Sequence, residues 1–170
     1  AKVTLLSNTG DIIINTGNYG TENNSENSTS YGILNKCGVT DLTAKNIFIN
    51  TFASNSNPTL SAGLYTEDGI TTLKADGKIG ISAKSNTGVT NGLYVTGNNE
   101  SEIKLTADSI GILAESNDQA NGIKVASSNN KITLESNENI IVSSKSSKEI
   151  AASPFTTELC NNGVLSLKGD

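Results

Sequence analysis

A unit of about thirty residues recurs along this chain, and each copy opens in the same way: Gly32-Ile33, Gly63-Leu64, Gly92-Leu93 and Gly122-Ile123. The copy from Gly92 to Asn121 reads GLYVTGNNESEIKLTADSIGILAESNDQAN. It contains three short apolar-polar alternations, Leu93/Val95, Ile103/Leu105 and Ile110/Ile112, separated by Gly, Asn, Asp or Ser. A fixed period in this range is the mark of a solenoid, in which each unit buries its apolar face against its neighbours. Three strands per unit with no helical segment between them predict an all-β fold. The expected architecture is a right-handed parallel β-helix of about five coils, each of three short strands and roughly thirty residues.

The second strand of the unit gives the clearest column: VTLLSN from Val3, TDLTAK from Thr40, TTLKAD from Thr71, IKLTAD from Ile103, ITLESN from Ile132 and LSLKGD from Leu165. Period two puts the first, third and fifth positions on one face. Leu5, Leu42, Leu73, Leu105, Leu134 and Leu167 are therefore predicted to stack as one internal ladder. The small fifth residue (Ser7, Ala44, Ala75, Ala107, Ser136, Gly169) suits a corner, and the Asp, Asn or Lys after it begins a turn. The third strand supplies a second interior set: Ile12/Ile14, Ile47/Ile49, Ile79/Ile81, Ile110/Ile112 and Ile140/Val142. β-branched residues suit such a pleated interior. Glycine at the head of the first strand implies either a left-handed backbone or a tight approach to the next coil.

All extra length falls at one junction, between the third strand and the next glycine. The longest version spans residues 15–31, within a single β-helix segment covering 1–170. Ala1 and Asp170 both fall in second strands, so both ends are expected to be cuts through a longer repeat protein. Loops on a rigid scaffold are where recognition usually sits. Tyr19 and Tyr31 stand at the ends of the long loop with Glu22 and Glu26 between them, and these four are candidate ligand-binding residues. Tyr offers contact area at low entropic cost. Tyr65 and Tyr94 form a second candidate: they share the outward position after the first inward residue, with Leu34 and Lys124 in the same column. Two stacked rings there suit a sugar or an apolar partner, and ordinary cross-strand aromatic packing gives the same pattern.

Composition narrows the chemistry. The chain has 170 residues, a formal charge of -5, and neither Arg nor His. Its cations are scattered lysines, which argues against nucleic acid, whose binding needs a cationic stripe. Without His or Arg, most acid-base and oxyanion schemes lack partners. Asp76 and Asp108 share one turn position in adjacent coils, a spacing near that of retaining glycosidases. The same column also holds Asn8, Lys45, Asn137 and Asp170, which reads as turn chemistry, so no catalytic residue is assigned. No cofactor or metal is expected: the calcium-binding nonapeptide is missing, and no Cys/His spacing supports zinc. Cys37 and Cys160 fall several coils apart, too far for a disulfide. Asn23, Asn27 and Asn99 lie in glycosylation sequons that are read as chance. No column offers the unbroken Thr ladder of an ice-binding face, and no apolar run is long enough to span a membrane.

The LKADGKIGISA stretch from Leu73 and the LTADSIGILAES stretch from Leu105 resemble the repeats of filamentous-haemagglutinin-like and autotransporter passenger proteins. The resemblance covers nearly the whole chain as a pattern. It implies a secreted Gram-negative adhesin, displayed at the cell surface and anchored to the outer membrane through a domain outside this chain. It further implies a virulence role, a host or bacterial cell-surface glycan or protein as partner, and no shared catalytic motif. A phage tail fibre or spike uses the same architecture, and so do polysaccharide-degrading enzymes.

Overall fold

The computed structural model describes residues 1–18, 29–54, 60–127, 129–147, 152–158 and 164–169. The described residues are all-β, without a helix, and stack as a β-solenoid of about four turns with ~31 residues per turn. The strands in chain order are β1 (Lys2–Leu6), β2 (Ile12–Asn18), β3 (Ser30–Asn35), β4 (Gly38–Ala44), β5 (Ile47–Ala53), β6 (Leu60–Glu67), β7 (Gly69–Ala75), β8 (Lys78–Ser85), β9 (Val89–Thr96), β10 (Glu102–Ser116), β11 (Gln119–Ala126), β12 (Lys131–Ser146), β13 (Ala152–Glu158) and β14 (Val164–Gly169). Every described pairing is parallel and joins equivalent strands of successive coils.

The register lays the predicted ladders down residue for residue. Leu5 pairs with Leu42, Leu42 with Leu73, Leu73 with Leu105, Leu105 with Leu134 and Leu134 with Leu167. The four central leucines are at most 1% exposed. Leu5 and Leu167, in the outermost rows, are 46% and 47% exposed because no described coil covers them. The isoleucine pairs stack likewise, Ile47/Ile49 on Ile79/Ile81 on Ile110/Ile112. Ala44, Ala75, Ala107 and Ser136 are buried at the corner, as their size requires. The Ser136 hydroxyl donates to the Asp108 carbonyl at 2.6 Å, with the Asn139 carbonyl next nearest at 3.1 Å, so the polar corner residue is satisfied inside the wall.

One feature departs from the expected coil. The second and third strands do not stay separate in two of the coils: β10 and β12 run through the corner as single strands of 15 and 16 residues. The cause is local. Ala107 pairs with Ser136 and Ser109 with Asn139, so Asp108 alone faces Asn137 and Glu138. One extra residue on one strand is a bulge, which bends a strand without ending it.

The glycines at the head of the first strand resolve in favour of close approach. The described glycines with positive φ are Gly38, Gly88 and Gly97, none of them in that column. A Cβ on Gly63 would run into Ile81 Cγ2 and stand 2.8 Å from the Gly92 carbonyl oxygen. A Cβ on Gly92 would run into Ile112 Cγ2 and stand 2.5 Å from the Gly122 carbonyl oxygen. Each glycine thus seats a wall of its own coil on the isoleucine strand and on the glycine of the next. Beside them a buried amide ladder begins, with Asn121 Nδ2 donating to Asn91 Oδ1 at 2.9 Å.

Oppositely charged side chains tie the coils outside. Glu115 lies between Lys84 at 3.1 Å and Lys145 at 3.5 Å, and Glu135 between Lys104 at 3.2 Å and Lys168 at 3.4 Å. The Lys84 hydrogen bond holds the Glu115 carboxyl below its ordinary value of 4.5, and the Lys104 hydrogen bond does the same for Glu135. An acid with a lowered folded pKa contributes stability that is complete above the ordinary value and is lost as pH falls through the folded one. The pairs are exposed, so each contributes only ~0–1 kcal/mol. The melting temperature should therefore be insensitive to these groups at pH 6 and fall modestly below pH 4.5. The Glu115→Gln/Glu135→Gln double variant should lose part of that acid sensitivity; an unchanged acid limb would remove the charge ladder from the account.

Candidate functional site

Three tyrosines form one row on the outside of the sheet made by β3, β6, β9, β11 and β13. The backbone register puts Leu34, Tyr65, Tyr94 and Lys124 in a single outward column, as predicted. The ring centroids of Tyr65 and Tyr94 are 5.0 Å apart and nearly perpendicular at 87°. Edge-to-face contact at this separation is favoured by the ring quadrupoles. Tyr31, placed with the long loop by its sequence position, joins them: its centroid is 5.2 Å from that of Tyr65, tilted by 52°. Lys124 Nζ stands 5.1 Å from the Tyr94 centroid and closes the row with a cation over the ring.

The row has a polar border. The Tyr65 hydroxyl donates to Glu67 Oε2 at 3.3 Å, and the Glu67 carboxylate lies 3.9 Å from Lys36 Nζ. Burial, then the Glu67 charge, raises the Tyr65 phenol well above its ordinary value of 10.0. Burial also raises Tyr31. Both phenols therefore stay neutral at physiological pH, with hydroxyls able to donate and accept. The arrangement can stack on an apolar ring face or an aliphatic patch, and it can hydrogen-bond at its margin. It contains no nucleophile-base pair.

Other sequence candidates are placed as follows. Tyr31, Tyr65 and Tyr94 come together. Tyr19, Glu22 and Glu26 lie outside the described residues, as do Asn23, Asn27, Cys160 and Asp170. Cys37 is exposed and free. Asp108 Oδ1 accepts a hydrogen bond from Asn137 Nδ2 at 2.9 Å, a side-chain tie between the corners of β10 and β12. Asp76 is exposed. Among the described residues, no three His, Cys, Asp or Glu side chains converge as a metal site, and no helix is long and apolar enough to cross a membrane.

Sequence reasoning separated Tyr31 from the tyrosine pair because it precedes its glycine rather than following it. In register it pairs with Ala62, three residues along the strand from the Tyr65 column. The signal available was proximity: Tyr31 sits next to Gly32, which opens the coil adjoining that of Tyr65. The charged border, Glu67 and Lys36, carried no sequence signal distinct from the other surface charges.

Comparison with protein-family profiles, with curated proteins and with solved structures finds no match to this chain.

Proposed function

We propose that this chain is a non-catalytic segment of a secreted, surface-displayed bacterial adhesin, which extends rigidly from the cell and binds glycans or proteins of a host or neighbouring cell. The observation that carries the reading is the Tyr31-Tyr65-Tyr94 row, in which the Tyr65 ring touches each of the other two on a rigid sheet face. Rigid aromatic groups give a large contact area with few rotors to freeze. A row of this size binds weakly as one copy, and many copies on a cell supply avidity. The repeats around Leu73 and Leu105, with their resemblance to adhesin passengers, support surface display.

The test is binding to a glycan array and to cultured epithelial and bacterial cells by beads bearing many copies of the protein. Tyr65 touches both other rings, so Tyr65→Ala should lower bead binding at least tenfold, while Lys74→Ala, on another face, leaves it unchanged. Circular dichroism of both variants should match the parent. Equal binding by a folded Tyr65→Ala protein would remove the row from recognition, and release of reducing sugar from any array glycan would replace the adhesin reading with an enzymatic one.

A further inference from the structure

At the head of the first strand the fold brings together two neighbours that react with each other. Gly92 and Gly122 are required by close packing. A Cβ on Gly122 would stand 2.5 Å from Val142 Cγ1 and 2.6 Å from the Pro154 carbonyl oxygen, as crowded as the one on Gly92. The residue before each glycine is an asparagine, Asn91 in β9 and Asn121 in β11, and the two pair in register. Asn91 is 0% and Asn121 1% exposed, and the hydrogen bond between their side-chain amides joins the two coils. The earlier coils hold Tyr31 and Ala62 at this position. Asn-Gly therefore occurs where the amide ladder and the glycine column meet.

Asn-Gly is the dipeptide in which asparagine loses its amide most readily, because glycine has no side chain to hinder its own nitrogen. That nitrogen gives up its proton and attacks the asparagine Cγ. The bond from Cγ to the side-chain nitrogen breaks, and ammonia leaves. Water then opens the resulting succinimide at one carbonyl or the other, leaving aspartate or isoaspartate. The net change is amide plus water to acid plus ammonia, and no other reagent is needed.

The native coil opposes both steps. The attack needs the asparagine side chain to swing onto the glycine nitrogen, which breaks the amide ladder and moves a glycine that has no room to move. Ring opening needs water at side chains that are at most 1% exposed. Unfolding removes both obstacles. The products then fit the coil badly. Aspartate puts a carboxylate where the wall buries a neutral amide, and burying a charge is costly. Isoaspartate carries the backbone through the side-chain carbon, so the extra atom breaks the in-register pairing on either side of it.

We infer that Asn91 and Asn121 are deamidation sites that unfolding opens, and that their conversion bars the chain from returning to the native stack. The assignment does not rest on the tyrosine row. The experiment uses protein with Asn162, which forms a third Asn-Gly outside the described residues, replaced by serine. One sample is held at mildly alkaline pH in buffer and another in concentrated guanidinium chloride, and conversion at each asparagine is followed by peptide mass spectrometry. A free peptide of residues 89–95 gives the unprotected rate. In denaturant Asn91 and Asn121 should convert at about the peptide's rate. In buffer they should be at least ~100-fold slower, because reaction waits on a sparsely populated open state. On dilution from denaturant, the fraction that regains the native circular dichroism should fall with dwell time in step with conversion. The native fraction, separated by size, should retain asparagine at both positions. Freshly refolded Asn91→Asp and Asn121→Asp proteins should give lower native yields than their parent without any dwell. Equal rates in buffer and in denaturant would overturn the assignment, and so would converted chains in the native fraction at their share of the whole sample.

Discussion

Leu105→Ala should lower unfolding free energy by ~2–5 kcal/mol, the range for truncating a fully buried leucine. Leu105 is 0% exposed and pairs with Leu73 on one side and Leu134 on the other. The cavity is therefore walled by two leucines that are themselves fixed by their own coils and cannot collapse into it. Lys104→Ala, one residue away and pointing outward, should cost no more than about 0.5 kcal/mol. Position in the stack matters too. Leu5→Ala and Leu167→Ala, in the half-exposed outermost rows, should cost about 1 kcal/mol. Denaturant melts of the four variants check this. Equal costs along the ladder would mean that the interior is not a stack whose centre is better covered than its ends.

A comparable effect is expected from a single methyl group at Gly92. Gly92→Ala should destabilise by about 3 kcal/mol, the upper end for overpacking a tight interior. The new Cβ would collide with Ile112 Cγ2 and stand 2.5 Å from the Gly122 carbonyl oxygen, and backbone oxygen cannot swing aside. Gly111→Ala makes the same chemical change where nothing lies within 4 Å. It should stabilise by ~0.4–1 kcal/mol, through the entropy removed from the unfolded chain. Thermal melts of the pair therefore separate a glycine the fold requires from one it does not. Shifts of the same sign and size would contradict that distinction.

The interior was legible in the sequence because burial constrains it twice, by period within a strand and by recurrence between coils. Leu42, Leu73, Leu105 and Leu134 satisfy both constraints and were readable as a column. Tyr65 and Tyr94 were readable for the same reason, since each stands two residues after its glycine. Tyr31 was not, because ring-to-ring contact reaches diagonally across columns and the repeat pattern records only register. The fused corners of β10 and β12 were hidden in a difference of one residue between neighbouring turns. The open space at Gly111 was hidden because outward positions tolerate many side chains, and an absent one becomes informative only once its surroundings are known.

The tyrosine row and the interior ladders depend on one alignment, each coil lying residue for residue on the next. Spin-label pairs test it, with Cys37 and Cys160 replaced by serine. Thr43, Lys74, Thr106 and Glu135 are successive partners in the stack. Labels at Thr43 and Lys74, at Thr43 and Thr106, and at Thr43 and Glu135 should give separations that rise in steps of ~4.8 Å. Separations that do not rise with the number of coils would contradict the parallel, in-register solenoid and, with it, the tyrosine row.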